Sequence, residues 1–289
     1  MYMLSATLQG FTLYQLLFYF FFYSFLGWVM ETVLVSTREH RFVNRGFLNG
    51  PICPIYGVGM CAIIIFLTPF QGRLTDVFLG GMIVASAIEY FTGWLMEKLF
   101  HAKWWDYSDK KFNLQGRICL QISIAWGVLS LTIIQIIQPT VAGLVDQIPL
   151  KVGAILLYVL LALLLADCVQ SVWAALKLSK KLRSLGQIKQ DLHALYESSG
   201  LYESGEELKR RLENSRISEL FAELSGNKEA NQTRRNRIEQ LRRKYTLHLG
   251  KRSFSQRRLL KAFPTMHTPN LGKVLEELRE SLKKNHKNK

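Results

Sequence analysis

Five apolar stretches, each long enough or nearly long enough to cross a bilayer as a helix, constrain this chain more than any other feature. A hydrocarbon core of about 30 Å takes roughly 20 helical residues. Only Glu31, Glu89 and Asp167 place charge inside the stretches. The apolar residues lack the alternation of a lipid-facing strand, so we predict an all-α polytopic membrane protein. The predicted helices cover residues 11–35, 54–70, 77–96, 118–138 and 152–176.

Charge is divided unevenly along the 289 residues. Residues 1–176 contain ten basic and nine acidic side chains, whereas residues 177–289 contain 27 basic and 13 acidic ones. The formal charge of +15 therefore comes almost wholly from the second part. This division predicts a transmembrane domain over residues 1–176 and a basic helical tail over residues 177–289, and it excludes a wholly soluble enzyme.

The basic residues between the helices predict the orientation, because Lys and Arg collect on the cytosolic side of a membrane. Residues 36–52 hold three of them and residues 98–117 hold five, while residues 71–76 and 146–151 hold one each. We therefore expect a multi-pass protein of the cell membrane with its N-terminus outside and its tail in the cytosol.

An internal repeat relates the two predicted hairpins. Residues 25–31 match residues 91–97 at five of seven positions with an offset of 66, and after the following loop the offset becomes 70. Both copies begin and end outside, which predicts two parallel hairpin repeats plus a fifth helix. The alternative is an aromatic belt beside packing glycines. The repeated motif supplies four predicted helix-packing residues, Gly27, Trp28, Gly93 and Trp94.

Each copy of the motif ends in a glutamate, Glu31 or Glu97, one helical turn after its glycine. A glycine at this spacing lets a neighbouring helix approach the carboxylate, so the two acids are predicted to face a common cavity between the hairpins. There they could share a proton, bind a cation or pair with Arg45 and Arg117 of the loops. A purely structural ion pair, or an acid that reaches headgroup water, is the alternative.

Two further acids lie inside predicted spans. Glu89 is two helical turns deeper than Glu97, near the middle of the bilayer, where an ionisable residue usually faces a polar pathway. Asp167 is about three turns from Lys177 and could instead lean toward that residue. Glu31, Glu89, Glu97 and Asp167 are therefore the candidate polar pathway.

The two loops on the predicted cytosolic side contain unusual chemistry. Residues 44–59 are too rich in Gly and Pro for a helix and too apolar for a free loop, which is typical of a segment that re-enters the membrane. Residues 104–113 combine paired Trp with Asp-Tyr-Ser, which suits an interfacial anchor or a capping turn with polar groups aimed at a ligand. The candidate loop and ion-pair residues are Asn44, Arg45, Asp106, Asn113 and Arg117.

Motifs for catalysis are missing from the sequence. Gly-Lys at residues 250–251 and 272–273 is not followed by Ser or Thr, so no Walker A loop is formed. The four cysteines form no Cys-x-x-Cys pair and the six histidines are scattered, which disfavours disulfides, a zinc site and a metalloenzyme. Ser108 has no adjacent His to activate it. We expect no catalytic residue, metal or cofactor in this chain.

The tail opens with leucines and isoleucines spaced by threes and fours over residues 178–195, a narrow stripe typical of a coiled coil or of a helix lying against the protein. A basic run mixed with Phe and Leu follows, and suits anionic lipid headgroups. RNA binding and a plain solvated tail are the alternatives. The predicted lipid-binding residues are Lys251, Arg252, Arg257, Arg258 and Lys261.

Several of these motifs together resemble a known bacterial family, the CmpB-like membrane proteins described as "Putative ABC-transporter type IV". The resemblance covers roughly residues 14–176. Its label implies a permease, and it marks positions without assigning roles to them. The motifs are residues 25–28 with Glu31, 44–48, 50–51, 53–57, Glu89, 105–108, Asn113, 116–117, and in the tail 257–258 and 262–264.

These patterns favour the membrane component of a transport system that depends on a separate energy source. A non-transporting scaffold or sensor, whose tail binds anionic lipid or a protein, is the runner-up, and an intramembrane enzyme acting on lipid is a third alternative. Expected partners are membrane lipids, a separate ATPase subunit and a second copy of the chain, since five helices are few for a permease. No nucleic-acid partner is expected.

Overall fold

The computed structural model describes residues 6–198, 228–250, 253–268 and 271–287. These residues are mostly helical, as predicted, with two short antiparallel strand pairs: Thr7–Leu8 with Phe11–Thr12, and Asn113–Leu114 with Ile118–Cys119. The helices are α1 (Leu13–Glu39), α2 (Pro54–Leu67), α3 (Leu74–Phe100), α4 (Leu120–Thr132), α5 (Gln138–Asp146), α6 (Leu150–Ser198), α7 (Lys228–Gly250), α8 (Phe254–Ala262) and α9 (Gly272–Lys287).

Four helical segments in the described residues are long and apolar enough to cross a membrane. They are Leu13–Glu39, Leu74–Phe100, Leu120–Asp146 and Leu150–Leu195. The segment Pro54–Phe70 is also apolar but shorter. Many large apolar side chains on the long helices are exposed, among them Ile83, Ile155 and Val169. Such a surface is suited to lipid rather than to water, so the chain is a multi-pass membrane protein.

The fourth of the five predicted helices, residues 118–138, continues past its predicted end. A π-helical stretch, Ile133–Ile137, joins α4 to α5 and leads into Pro139, so that Leu120–Asp146 is a single apolar segment. A proline inside a helix removes a backbone hydrogen bond, and a local widening of the helix is a common way to accommodate that loss. The predicted end at residue 138 therefore lies inside this apolar segment.

Helices α1 and α3 end in the same way. Each has 27 residues and is followed by a histidine in the left-handed conformation, His40 (φ 50°) and His101 (φ 55°). The histidine N–H bonds to the carbonyl four residues earlier, on Ser36 and Glu97 respectively. The left-handed backbone at the histidine ends the helix and turns the chain into a loop.

Helix α1 packs against α2, α2 against α3, and α3 against α4. The buried centre combines aromatic and aliphatic side chains, including Tyr19, Tyr23, Ile63, Ile64 and Val77. Glycines allow the closest approaches. A Cβ on Gly57 of α2 would lie 2.5 Å from the carbonyl oxygen of Phe20 and 2.1 Å from Oγ of Ser24. Absence of a side chain at Gly57 thus sets the separation of α1 and α2.

The chain divides into two compact units. The first contains Met1–Lys177 and Ser253–Pro269, and the second contains Leu178–Arg252 and Asn270–Lys289. The boundary after residue 177 lies next to the one predicted from charge. Part of the basic tail, however, belongs with the membrane-spanning helices.

In the second unit, the apolar stripe of α6 is buried at Leu178, Leu182, Leu185 and Ile188. Helix α9 contributes buried leucines of its own, and Gly186 lies against Leu271. Glu277 of α9 accepts hydrogen bonds from Lys189 and Tyr245.

Burial alone would raise the pKa of the Glu277 carboxyl, but the hydrogen bonds from Lys189 and Tyr245 outweigh it and lower this pKa below its ordinary value. A charged carboxylate therefore joins α6, α7 and α9 in the second unit. The sequence also predicts a charged helix over residues 206–224, which lie outside the described residues.

We predict that Gly57→Ala destabilises the protein while Gly59→Ala does not. A methyl group at residue 57 meets the α1 backbone, and overpacking of this kind costs about 1–3 kcal/mol. Nothing lies within 4 Å of a Cβ at Gly59, so alanine there gains helix propensity at no steric cost. Thermal unfolding of the two purified variants, followed by circular dichroism, checks this. Equal melting temperatures would contradict the proposed role of Gly57.

Candidate functional site

Four acidic side chains on the spanning helices receive hydrogen bonds or ion pairs from the segments that connect or follow those helices. They are the four predicted pathway residues, Glu31, Glu89, Glu97 and Asp167. We call residues 41–53 the first loop and residues 101–119 the second loop. Each acid has a different set of partners, and the differences decide what each one can do.

Glu31 has one cationic and one neutral partner. Nε of Arg45, in the first loop, lies 3.5 Å from Oε2 of Glu31, and the Tyr56 hydroxyl donates to Oε1 at 2.7 Å. The Tyr56 ring packs against Gly27, where a Cβ would come within 2.3 Å of it. The glycine one turn before the glutamate thus makes room for the tyrosine that reaches the carboxylate.

Glu97 has an analogous arrangement. Nη2 of Arg117, in the second loop, donates to Oε2 of Glu97 at 2.7 Å, and the guanidinium lies 5.2 Å above the Tyr90 ring. Gly93, one turn earlier, faces Trp105 and the aliphatic part of Arg117. Both copies of the motif therefore place a glycine beside the group that approaches the acid or its partner.

The two tryptophans of the repeated motif have different surroundings. Trp28 donates from Nε1 to Oδ1 of Asn44 at 2.8 Å, which ties the first loop to α1. Trp94 is partly exposed and lies beneath the amino group of Lys98, 5.0 Å from its ring centroid.

Glu31 and Glu97, which were predicted to face a common cavity, have separate partners. Among the described residues no hydrogen bond or ion pair joins these two acids. The repeat matches Glu31 with Glu97 in sequence, whereas hydrogen bonds and ring packing link Glu31 to Glu89 through Tyr56 and Trp126.

Glu89 is the most deeply placed of the four acids. Only 7% of this residue is exposed. Oε1 accepts from the Tyr107 hydroxyl at 3.2 Å, and Oε2 accepts from Nε1 of Trp126 at 3.0 Å. Within the part of the chain that the structure describes, no Lys or Arg forms an ion pair with Glu89. Two neutral donors serve the carboxyl group, in contrast to the cationic partners of Glu31 and Glu97.

Tyr56 and Trp126 are equivalent in the repeat, since they differ by the offset of 70, and they pack against each other with ring centroids 5.6 Å apart. Each donates to a different acid, Tyr56 to Glu31 and Trp126 to Glu89. The two rings thus link the two carboxylates across the hairpins. Sequence reasoning missed both residues, although the offset of 70 could have identified them.

Tyr107 of the second loop was also missed as a partner of Glu89. Burial raises the pKa of its hydroxyl well above the ordinary value, and the nearby Glu89 carboxylate raises it further. Tyr107 therefore remains a hydrogen-bond donor throughout the physiological pH range. No spacing in the sequence distinguishes this tyrosine from the others.

Asp167 of α6 binds the first loop instead of leaning toward Lys177. It accepts from the backbone N–H groups of Asn49 and Gly50, at 3.0 and 2.7 Å, and from the Asn49 side chain at 2.8 Å. Ser171 donates to it from the next turn of α6. The amino group of Lys177 lies over the Trp173 ring, 3.7 Å from its centroid.

Asn44 organises the first loop from within. Its Oδ1 accepts from Trp28 and from the Gly46 N–H, and its Nδ2 donates to the Asn49 carbonyl at 2.9 Å. The loop ends at Cys53, whose N–H bonds to the Ser24 carbonyl and whose thiol has a pKa raised to about 12 by burial. The backbone groups of this irregular segment are thus satisfied by protein, as required close to a membrane.

The polar residues of the second loop form a capping turn. Asp106 accepts from the Ser108 N–H at 3.0 Å and from the Ser108 hydroxyl at 2.5 Å. Asn113 donates to the carbonyls of Ser108 and Lys110. Gly116 adopts φ 71°, and a Cβ there would lie 2.2 Å from Asp106.

Burial would raise the pKa of Asp106, yet the hydrogen bonds from Ser108 and the nearby Lys103 outweigh burial and lower it. The polar groups of Asp106 and Asn113 are directed at the loop itself.

Residues 253–268, which we call the docked segment, contact both loops. Arg258 donates to the carbonyls of Gly46 and Phe47 at 2.6 Å each and to Oδ1 of Asn49 at 3.1 Å. Its predicted role in lipid binding is therefore corrected, because the guanidinium is partly buried and bonded to protein. Arg257 and Lys261 are exposed, and Lys251 and Arg252 lie outside the described residues.

The end of the docked segment joins the two loops to each other. Arg45 donates to the Ala262 carbonyl, and its guanidinium lies 4.5 Å over the Phe263 ring. Phe263 also packs edge-on against Trp104 of the second loop, with centroids 4.8 Å apart. Lys103 and His267 exchange backbone hydrogen bonds of 2.8 and 2.9 Å. Arg45 therefore contacts both Glu31 and the docked segment.

Long apolar helices, with acids among them that receive donors from loops, define this chain as a helical multi-pass membrane protein. The model of the family described as "Putative ABC-transporter type IV" matches residues 18–172. Since this is more than half of the 289 residues, the chain belongs to that family, and the resemblance seen in the sequence is confirmed. No match was found among curated proteins or among solved structures.

We predict that Arg258→Gln loosens the first loop and Arg257→Gln does not. Loss of the guanidinium leaves the carbonyls of Gly46 and Phe47 without donors, at about 1–3 kcal/mol for each buried group. Exchange of the Asn49 and Gly50 amide hydrogens should then accelerate about tenfold or more. Hydrogen–deuterium exchange followed by mass spectrometry measures this. Unchanged exchange in Arg258→Gln would show that the loop does not depend on the docked segment.

Proposed function

We propose that this protein is the membrane component of a transport system that receives its energy from a separate ATPase subunit. In this proposal Pro54–Phe70 crosses the membrane as a fifth span, the N-terminus lies outside, and the basic tail lies in the cytosol of the cell. The family description supports the transport role, and the basic residues of the two loops support the orientation.

Glu89 is the single observation that carries the proposal. An ionisable residue at mid-membrane depth costs about 3 kcal/mol or more to insert, and such residues usually mark a pathway for ions or substrates. Glu89 is buried, and among the described residues its hydrogen-bond donors are the neutral Tyr107 and Trp126. The Trp126 ring packs on Tyr56, which donates to Glu31. A structural acid would be better served by a cation, as Glu97 is by Arg117.

The proposed pathway therefore runs along Glu89, Trp126, Tyr56 and Glu31 toward the side of the loops. In this order the side chains present a carboxyl, an indole, a phenol and a second carboxyl group. Each side chain is hydrogen-bonded to the next one or packs on it. Arg45 closes the loop end through its ion pair with Glu31. A movement that withdrew Arg45 would uncover the Glu31 carboxylate.

The docked segment offers a route for such a movement. It is bonded to Arg45 through the Ala262 carbonyl, and it contacts the second loop through Phe263 and His267. An ATPase that displaced this segment would act on both loops at once. A second copy of the chain would complete a pore, because five helices are few for a permease, and we assign no catalysis to this chain itself.

We predict that Glu89→Gln inserts normally but abolishes transport, because an amide keeps the size and the acceptor oxygen of the carboxyl group while removing its charge. Glu31→Gln and Glu97→Gln should reduce transport less, and Asp76→Asn, on an exposed acid of α3, should leave it intact. Uptake of a panel of labelled solutes into membrane vesicles, normalised to the amount of inserted protein, measures this. Full activity in Glu89→Leu would contradict the polar pathway.

A scaffold or sensor remains the second candidate, because the second unit has a core of its own. Leu185, Leu275 and Leu278 are fully buried there, so the tail contains a folded module that could engage a protein partner, through a coiled coil or another helical contact, or anionic lipid. Such a role depends on the second unit and gives no function to the four carboxylates of the first unit.

The two candidates differ in which substitutions matter. For transport, Arg45→Ala, Arg117→Ala and Phe263→Ala should abolish solute uptake, while Phe254→Ala, on a side chain 80% exposed in the same segment, should not. Substitution of Leu185 by Asp, which disrupts the second unit, should matter most for a scaffold. Co-purification of an ATPase is measured in parallel. If none co-purifies and only Leu185→Asp has an effect, the transport proposal should be replaced by the scaffold.

A further inference from the structure

Two phenylalanines protrude from the loops although both are large and apolar. Phe42, in the first loop, is 74% exposed, and Phe112, in the second loop, is 81% exposed. They are equivalent in the repeat, with the offset of 70, and each directly follows a basic residue, Arg41 or Lys111. An exposed Phe after a cation at two equivalent places indicates a shared task rather than chance exposure.

Phe42 lies at the level where α1 ends. The chain after His40 folds back on the last turn of the helix, because the Arg41 N–H bonds to the Ser36 carbonyl at 3.2 Å and the Val43 N–H bonds to the Ser36 hydroxyl at 3.0 Å. The ends of a spanning helix lie close to the headgroup region of a bilayer. Phe42 is therefore positioned at the membrane surface.

Phe112 lies at the level where α4 begins. Its carbonyl accepts from the N–H of Leu120, the first residue of α4, at 3.3 Å. Under the proposed five-span topology, α1 ends and α4 begins on the same side of the membrane. The two phenylalanines are therefore at one surface, and this step rests on that topology alone and not on transport.

We propose that Phe42 and Phe112 are paired anchors that insert into the headgroup region and that the basic residues beside them bind anionic lipid phosphates. Arg38 and Arg41 outnumber Glu39 at the first anchor, and Lys110 and Lys111 outnumber Asp109 at the second. All six side chains are exposed. A lipid surface fits an apolar ring with cations around it at helix ends, because the ring leaves water while the cations meet phosphates.

The depth of the two side chains tests the insertion. Cysteines at residues 42 and 112 are spin-labelled one at a time in the full chain, with the half-buried Cys61 and Cys168 replaced by Ser, and reconstituted into phosphatidylcholine vesicles containing phosphatidylglycerol. Control labels replace Ile83, a lipid-exposed residue of α3, and Asp109, an exposed residue of the second loop. Collisions with a water-soluble nickel chelate should be several-fold rarer at residues 42 and 112 than at residue 109, and collisions with oxygen should be rarer than at residue 83.

Charge recognition is tested separately by native mass spectrometry of the purified full chain. The double variant Arg41→Gln, Lys111→Gln should lose about half of its bound phosphatidylglycerol and none of its bound phosphatidylcholine. The control Arg73→Gln, an exposed residue between Pro54–Phe70 and α3, should lose neither lipid. Equal retention in all variants would overturn lipid recognition. Labels at residues 42 and 112 that are as accessible to nickel as residue 109 would overturn insertion and point to a protein partner. Each variant must keep its helical content.

Discussion

Carboxylates on membrane helices need hydrogen-bond donors or cations, and the fold of the rest of the first unit depends on how these partners are supplied. An unsatisfied polar group in hydrocarbon costs several kcal/mol, so each acid must find partners within the protein. All four find at least one of them in the two loops: Arg45, Tyr107 and Arg117, and the amides of Asn49 and Gly50. The loops consequently fold back on the helices instead of extending into solvent.

The repeat could be predicted because its two copies share identical residues at a fixed offset. The two glutamate–arginine pairs could be predicted because only a short loop separates each arginine from its glutamate and because charged residues are few in this part of the sequence. The partners of Glu89 and Asp167 could not. Neutral donors such as Tyr, Trp and backbone amides occur throughout the chain, and spacing does not indicate which of them is near. Tertiary packing selected Tyr107 for Glu89 and Asn49 for Asp167.

The role of Arg258 was misjudged for a related reason. A helix rich in basic and aromatic residues can bind lipid headgroups or backbone carbonyls of the same protein. The sequence around Arg257 and Arg258 does not distinguish these two possibilities. Their side chains leave α8 in different directions, one toward solvent and the other toward the first loop. Likewise, Pro139 reads as a helix end unless the π-helical stretch before it is known.

Arg258 also sets an order of assembly. The carbonyl of Gly46 receives its hydrogen bond from a residue 212 positions later in the chain. During synthesis the first loop emerges long before its partner, so water must solvate its carbonyls until residue 258 has left the ribosome. Closure over so long a distance costs only slightly more entropy than closure over half of it. The helices can thus insert and pair first, and the loop beside them acquires its final form only after residue 258 has been synthesised.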